Sequence, residues 1–133
     1  MANEGISLRR IGDVAVAAPV GRIDHAAAGP LEQTLAPLWN ASADPLAGVV
    51  IDFRDVEYIS SVGLRVLMIA AKEMRARHTR IAVSALQPTV AEIFAISRFD
   101  TVLEVFPGLR EALQALSPDA LAAHEAQQSV RSL

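Results

Sequence analysis

The chain contains no cysteine, which excludes disulfide frameworks, thiolate catalysis, cysteine-ligated zinc and iron–sulfur clusters together. A reducing compartment fits that composition. Positive charge is scarce too: twelve Lys and Arg face fifteen Asp and Glu, for a formal net charge of −3. Such a balance supplies no general attraction to a phosphate backbone, so nucleic acid is not an expected direct partner. Long hydrophobic runs are also missing. The most apolar windows fall short of the roughly 20 residues needed to cross a bilayer. The opening MANEGISLRRIGD places no apolar stretch after its charges, unlike a secretory signal. The sequence predicts a soluble, cytoplasmic protein without membrane insertion.

Several chemical motifs are missing as well. There is no G-x-x-x-x-G-K-[ST] loop and no G-x-G-x-x-G turn, so a nucleotide phosphate has no visible seat. His25, His78 and His124 lie far apart, and none forms an i, i+3 or i, i+4 ligand pair with another histidine. Asp52, Asp55 and Glu57 cluster after a candidate strand but lack a partner set for magnesium. Ser61 and Gly63 reproduce half of a G-x-S-x-G nucleophile elbow, but Ile59 stands where its first glycine belongs. Only His25 has an acidic sequence neighbour, Asp24, and no base can be assigned to Ser61. A small hydrolase is therefore disfavoured, no catalytic or metal residue is assigned, and no cofactor is implied.

What is present is one domain's worth of chain: 133 residues, 52% of them hydrophobic. Residues 6–10 and 14–20 read as strands around a Gly12-Asp13 turn, an opening hairpin. From Ala26 to about Ala41, Leu31, Leu35 and Leu38 carry helical spacing. Pro30 suits that helix's first turn, whereas Pro37 is expected to kink it or end it early. Residues 48–53 form a β-branched run suited to a strand buried on both faces. Helix is expected from Ser61 to about Arg77, a strand at 81–84, a proline-opened helix at 88–97, a strand at 102–105 and a helix from Pro107 to Leu116. A weakly patterned Ala-rich tail follows Ser117. The alternation is that of an α/β sheet with crossovers.

One junction stands out. In Tyr58-Ile59-Ser60-Ser61-Val62-Gly63-Leu64 two hydroxyls meet the start of the longest expected helix. A serine there can accept from the helix's first free N–H groups, which explains one of the two. A phosphate on the other would add about −1.5 to −2 charges at the positive end of a helix, where the fold tolerates an anion. It would oppose any partner packed against the same patch. The residues thus allow a binding switch.

The segment VVIDFRDVEYISSVGLRVLMIAAKEMRA resembles the signature of the STAS family, the anti-sigma factor antagonists, in which a strand leads through a D-S-[ST]-G-L turn into a helix. Upstream, PVGRIDHAAAGPLEQTL is similar to the family's G-x-[IL]-D turn. Downstream, SALQPTVAEIFAISRFDTVLEVFPGLREAL resembles its closing section. The resemblance covers about residues 6–116. It implies a single α/β domain over residues 1–116, with a small mixed sheet, an opening hairpin and about four helices packed mainly on one face; residues 117–133 form a helical or flexible tail.

The same resemblance implies a non-enzymatic antagonist that binds an anti-sigma factor with serine kinase activity and is itself phosphorylated by it. A serine phosphatase reverses the modification. The acceptor falls on Ser61, with Ser60 as the alternative, and the partner surface on Asp24, Ser60, Ser61, Val62, Gly63, Leu64 and Arg65. Two positions depart from the family pattern: Ser60 replaces an acid, and Val62 replaces a Ser or Thr. Loss of the acid removes a charge beside the acceptor, which leaves open a STAS module that works without phosphorylation, as a scaffold or ligand sensor in another signalling or transport assembly. Five basic residues and one acidic residue lie between Arg65 and Arg80. They fit either a docking face for an acidic partner or ordinary solvated helix decoration.

Overall fold

The structure is a computed structural model that describes residues 6–40 and 45–131. Strands β1 (Ile6–Ile11) and β2 (Val14–Pro19) form an antiparallel hairpin, with Ile11 opposite Val14 across the Gly12-Asp13 turn. Gly12 has φ +58°, a left-handed conformation that favours a residue without Cβ. After β2 come β3 (Gly21–Ile23), helix α1 (His25–Asn40), β4 (Gly48–Asp52), β5 (Val56–Ile59) and α2 (Ser61–Ala76). The chain continues through β6 (Arg80–Ser84), α3 (Pro88–Ile96), a 3-10 turn (Phe99–Thr101), β7 (Glu104–Phe106), α4 (Leu109–Leu116) and α5 (Pro118–Arg131).

The main sheet has the order β1-β2-β4-β6-β7, and every pair after the opening hairpin is parallel. Its central strands alternate cleanly. Ala15, Ala17, Val49, Ile51, Ile81 and Val83 join one core, whereas Val14, Val16, Val50 and Ala82 join a second. Both faces are therefore dry, which is why β2, β4 and β6 read as near-continuous apolar runs. Helices α1, α2 and α3 contribute to the first core, and α4 and α5 to the second. The four helices expected before the tail are joined by a fifth among the described residues, because the tail after Ser117 takes the helical of its two expected forms.

That last helix is seated on the hairpin. The buried Ser117 hydroxyl donates to Asp13 Oδ1 at 2.6 Å and accepts the Ala120 N–H at 3.1 Å. Ala120 lies so close to Gly12 that a Cβ there would stand 3.0 Å from its Cα.

Of the two expected effects of Pro37, a kink or an early end, the early end does not occur; the helix continues to Asn40. Ala28, Leu31, Leu35 and Trp39 form its buried stripe, and the last of these lies beyond the proline. Interior proline costs a helix about 3 kcal/mol, whereas truncating a buried Trp typically costs about 3–5 kcal/mol. Burying Trp39 outweighs the break. Pro30 also sits past the first turn, and its carbonyl accepts the Thr34 hydroxyl at 2.9 Å.

A second, two-stranded sheet was not foreseen. β3 and β5 pair in parallel, with Arg22 opposite Tyr58 and Ile23 opposite Ile59. The Arg22 guanidinium lies 4.4 Å from the centre of the Tyr58 ring, a cation–π contact. This small ladder matters because both of its strands run directly into helices.

Candidate functional site

Ile23 and Ile59 are buried partners, so the residues that follow them emerge side by side. The Ser60 N–H donates to the Ile23 carbonyl at 2.9 Å and extends the ladder by one step. Asp24 then caps α1: its Oδ1 accepts the Ala27 N–H at 3.0 Å. Ser60 caps α2, with extended backbone and its hydroxyl oxygen accepting the Gly63 N–H at 3.2 Å. Two helix N-termini thus sit together at one edge of the molecule, each closed by a side-chain oxygen.

The two serines are divided by this geometry. Ser60 is half-buried and engaged as the cap. Ser61 is the first residue of α2, is exposed, and its hydroxyl makes no hydrogen bond among the described residues. Beside it Val62 remains 36% exposed, and Arg65, one turn further on, is exposed on the helix surface.

Gly63 and Leu64 are placed differently from the expected partner surface. Both are buried and present no side chain outward. A Cβ on Gly63 would stand 2.7 Å from Ile59 Cγ1, 2.8 Å from Ile23 Cγ2 and 3.1 Å from the Ile23 carbonyl. Glycine here lets α2 begin hard against the β3–β5 ladder, and Leu64 anchors the turn in the core. These two residues hold the exposed ones in place. Asp24 is exposed at the same edge.

Other candidate chemistry is dispersed. His25 opens α1 and is exposed, His78 follows α2 with φ 57°, and His124 lies on α5. Asp52 Oδ1 accepts the Arg54 N–H at 3.1 Å and the Ser84 hydroxyl at 3.4 Å, while Asp55 and Glu57 are exposed. No group of three or more His, Asp or Glu among the described residues is arranged to hold a metal ion. No helix among them is long and apolar enough to cross a membrane. Of the basic stretch, Arg80 is already neutralised by Glu104, whose hydrogen bond holds the guanidinium above its ordinary pKa.

Sequence reasoning missed the β3–β5 ladder and the capping role of Asp24. A signal was available in each case: the β-branched and aromatic Val56-Glu57-Tyr58-Ile59, and an Asp immediately before a helical pattern.

The STAS domain model matches residues 5–112, a span containing both capped helix starts and the sheet that carries them. The chain belongs to the STAS family. It is 34% identical over 118 residues to BtrV of Bordetella bronchiseptica, which is named a candidate anti-sigma factor antagonist; the match covers 87% of this chain and 97% of that one. An anti-sigma factor antagonist from Mycobacterium paratuberculosis has 28% identity and a TM-score of 0.75, over 84% of this chain and 92% of its own. The STAS fold also extends to a sulfate transporter family protein from Wolinella succinogenes. There the identity is 16% and the TM-score 0.68, over 85% of this chain and 88% of that one.

Proposed function

We propose that this STAS protein is a cytoplasmic anti-sigma factor antagonist whose partner is an anti-sigma factor with serine kinase activity. The docking surface comprises Asp24, Ser60, Ser61, Val62 and Arg65. Phosphorylation of Ser61 by that partner ends the interaction, and a serine phosphatase restores it. Ser61 is a substrate in this scheme, and the chain itself catalyses nothing.

The observation that carries the reading is the division of labour between Ser60 and Ser61. The helix-capping explanation for a serine at this junction is used up by Ser60, leaving an exposed hydroxyl with no structural task. An oxygen cap also accounts for Ser60 in place of the family's acid, since either side chain accepts the Gly63 N–H. Modification at Ser61 leaves that cap intact. The phosphate gains about 0.3–1 kcal/mol from the helix terminus, and Arg65 at i+4 offers it a cation on the same face. The domain stays folded while its surface changes from a neutral hydroxyl patch to a dianion.

The test is incubation of the purified chain with its cognate kinase and ATP, followed by mass spectrometry. One phosphate on the native chain and none on Ser61→Ala is expected. Ser61→Asp weakens the complex at least about tenfold by desolvation and repulsion while retaining the native circular dichroism spectrum. Equal labelling of Ser61→Ala would eliminate the site.

A second reading is favoured by the uncharged flanks of Ser61, namely Ser60 and Val62. It takes the chain as a phosphorylation-independent STAS module. A partner complex unchanged by Ser61→Asp selects it.

A further inference from the structure

On the opposite side of the sheet from α1–α3, a cleft of about 370 Å³ opens between the family core and α5. It is lined by Arg9 of β1, Asp52 and Arg54 at the end of β4, Ala85 after β6, and His124 and Gln127 of α5. Asp52 and Ala85 lie where the parallel strands β4 and β6 end, the edge at which open α/β sheets take up ligands. Its helical wall lies beyond residue 112, where the STAS match stops.

Three features of this cleft bear on a ligand: a buried ring nitrogen without a partner, two solvent-facing guanidinium groups and a left-handed backbone residue. His124 Nδ1 is buried with no hydrogen-bond partner, an unmet demand that native structures usually satisfy. The guanidinium groups of Arg9 and Arg54 have neither an ion pair nor a hydrogen bond among the described residues. Ala85 holds φ 58° although it has a Cβ, a backbone state that concentrates at ligand-holding positions. The one carboxylate in the lining, Asp52, is already engaged by the Arg54 N–H and the Ser84 hydroxyl.

We infer that this cleft is a binding site for a small organic oxyanion. Arg9 and Arg54 supply charge and forked donors for one carboxylate or phosphate group, and a turn of the His124 ring, whose Nδ1 is enclosed without a partner, brings that nitrogen to the ligand body. Asp52 sets the class. Its charge disfavours polyanions, so the ligand carries a single acidic group. The site is separate from Ser61 and stands whether or not that serine is modified.

The experiment is a ¹H–¹⁵N NMR titration of the full chain, with inorganic phosphate as the phosphate probe and L-lactate as the carboxylate probe in separate arms. Saturable shifts of the Arg54 and Ala85 amides and of the His124 ring nitrogens are expected in at least one arm. The arm that saturates at lower concentration identifies the acidic group. Arg9→Ala and Arg54→Ala each weaken saturation at least tenfold, with the rest of the spectrum preserved. If Arg54→Ala disturbs the β4–β5 connection, Arg9→Ala on a separate strand gives the same readout. Shifts that never saturate and spread over Arg65, Arg75 and Arg77 mean an adventitious ion only and overturn the site. So does binding left unchanged by Arg9→Ala.

Discussion

Helices α2 and α5 begin in the same way and end in different chemistry. Each starts at a serine, Ser60 or Ser117, whose hydroxyl oxygen accepts the N–H three residues on, from Gly63 at 3.2 Å or Ala120 at 3.1 Å. At α5 the serine is only 4% exposed, and its proton is given to Asp13. At α2 the cap is half-buried and is followed by a second serine that faces water. The small residue also changes sides. α2 needs glycine on the helix because Ile23 and Ile59 crowd it, whereas α5 carries alanine because the glycine is on the hairpin it meets, at Gly12. A serine at a helix start is structural when its oxygen is used inside the molecule, as at Ser60, and the more so when its proton is used as well. Ser117 meets both conditions and Ser61 meets neither.

Substitutions can break this contrast. Ser117→Ala removes a cap worth about 1 kcal/mol and strips a half-buried carboxylate of its partner, adding about 1–2 kcal/mol. A loss of about 2–3 kcal/mol in urea denaturation is expected. Gly63→Ala gains about 1 kcal/mol of helix propensity but forces a methyl to within 3 Å of two buried isoleucines. The overpacking prevails, for a net loss of about 1–2 kcal/mol, read as a lower urea midpoint. Ser60→Ala costs about 1 kcal/mol, the value of an exchanged N-cap. Ser61→Ala stays within about 0.5 kcal/mol of the native chain in the same titration. Equal losses from Ser60→Ala and Ser61→Ala would erase the distinction between the two serines and make Ser61 part of the scaffold.

The order of the main sheet's elements was legible because β2, β4 and β6 are buried on both sides and α2 carries a regular apolar stripe. Those patterns are local. The functional junction was legible to the level of two adjacent serines, but which of them caps depends on where the helix begins. That start is set by the Ile23–Ile59 pairing, a contact across more than thirty residues. β3 and β5 escaped for a different reason: strand-forming residues are present in Val56-Glu57-Tyr58-Ile59, but elements of three and four residues carry only a weak alternation. Pro37 misled because helix-breaking is a local cost, while the compensating burial of Trp39 comes from distant elements. The cleft under α5 could not have been read at all. Arg9, Asp52, Ala85 and His124 come from four separate stretches, and no spacing in the chain relates them.

The Ser117–Asp13 hydrogen bond joins residues 104 positions apart. Closing so long a loop is entropically slow compared with forming a hairpin or a single helix. During synthesis the first hairpin must therefore wait, with Gly12 bare, until almost the whole polypeptide has emerged. The seating of α5 is then a late folding step, and a chain stopped short of Ala120 leaves an open seam along β1 and β2 where premature self-association would start.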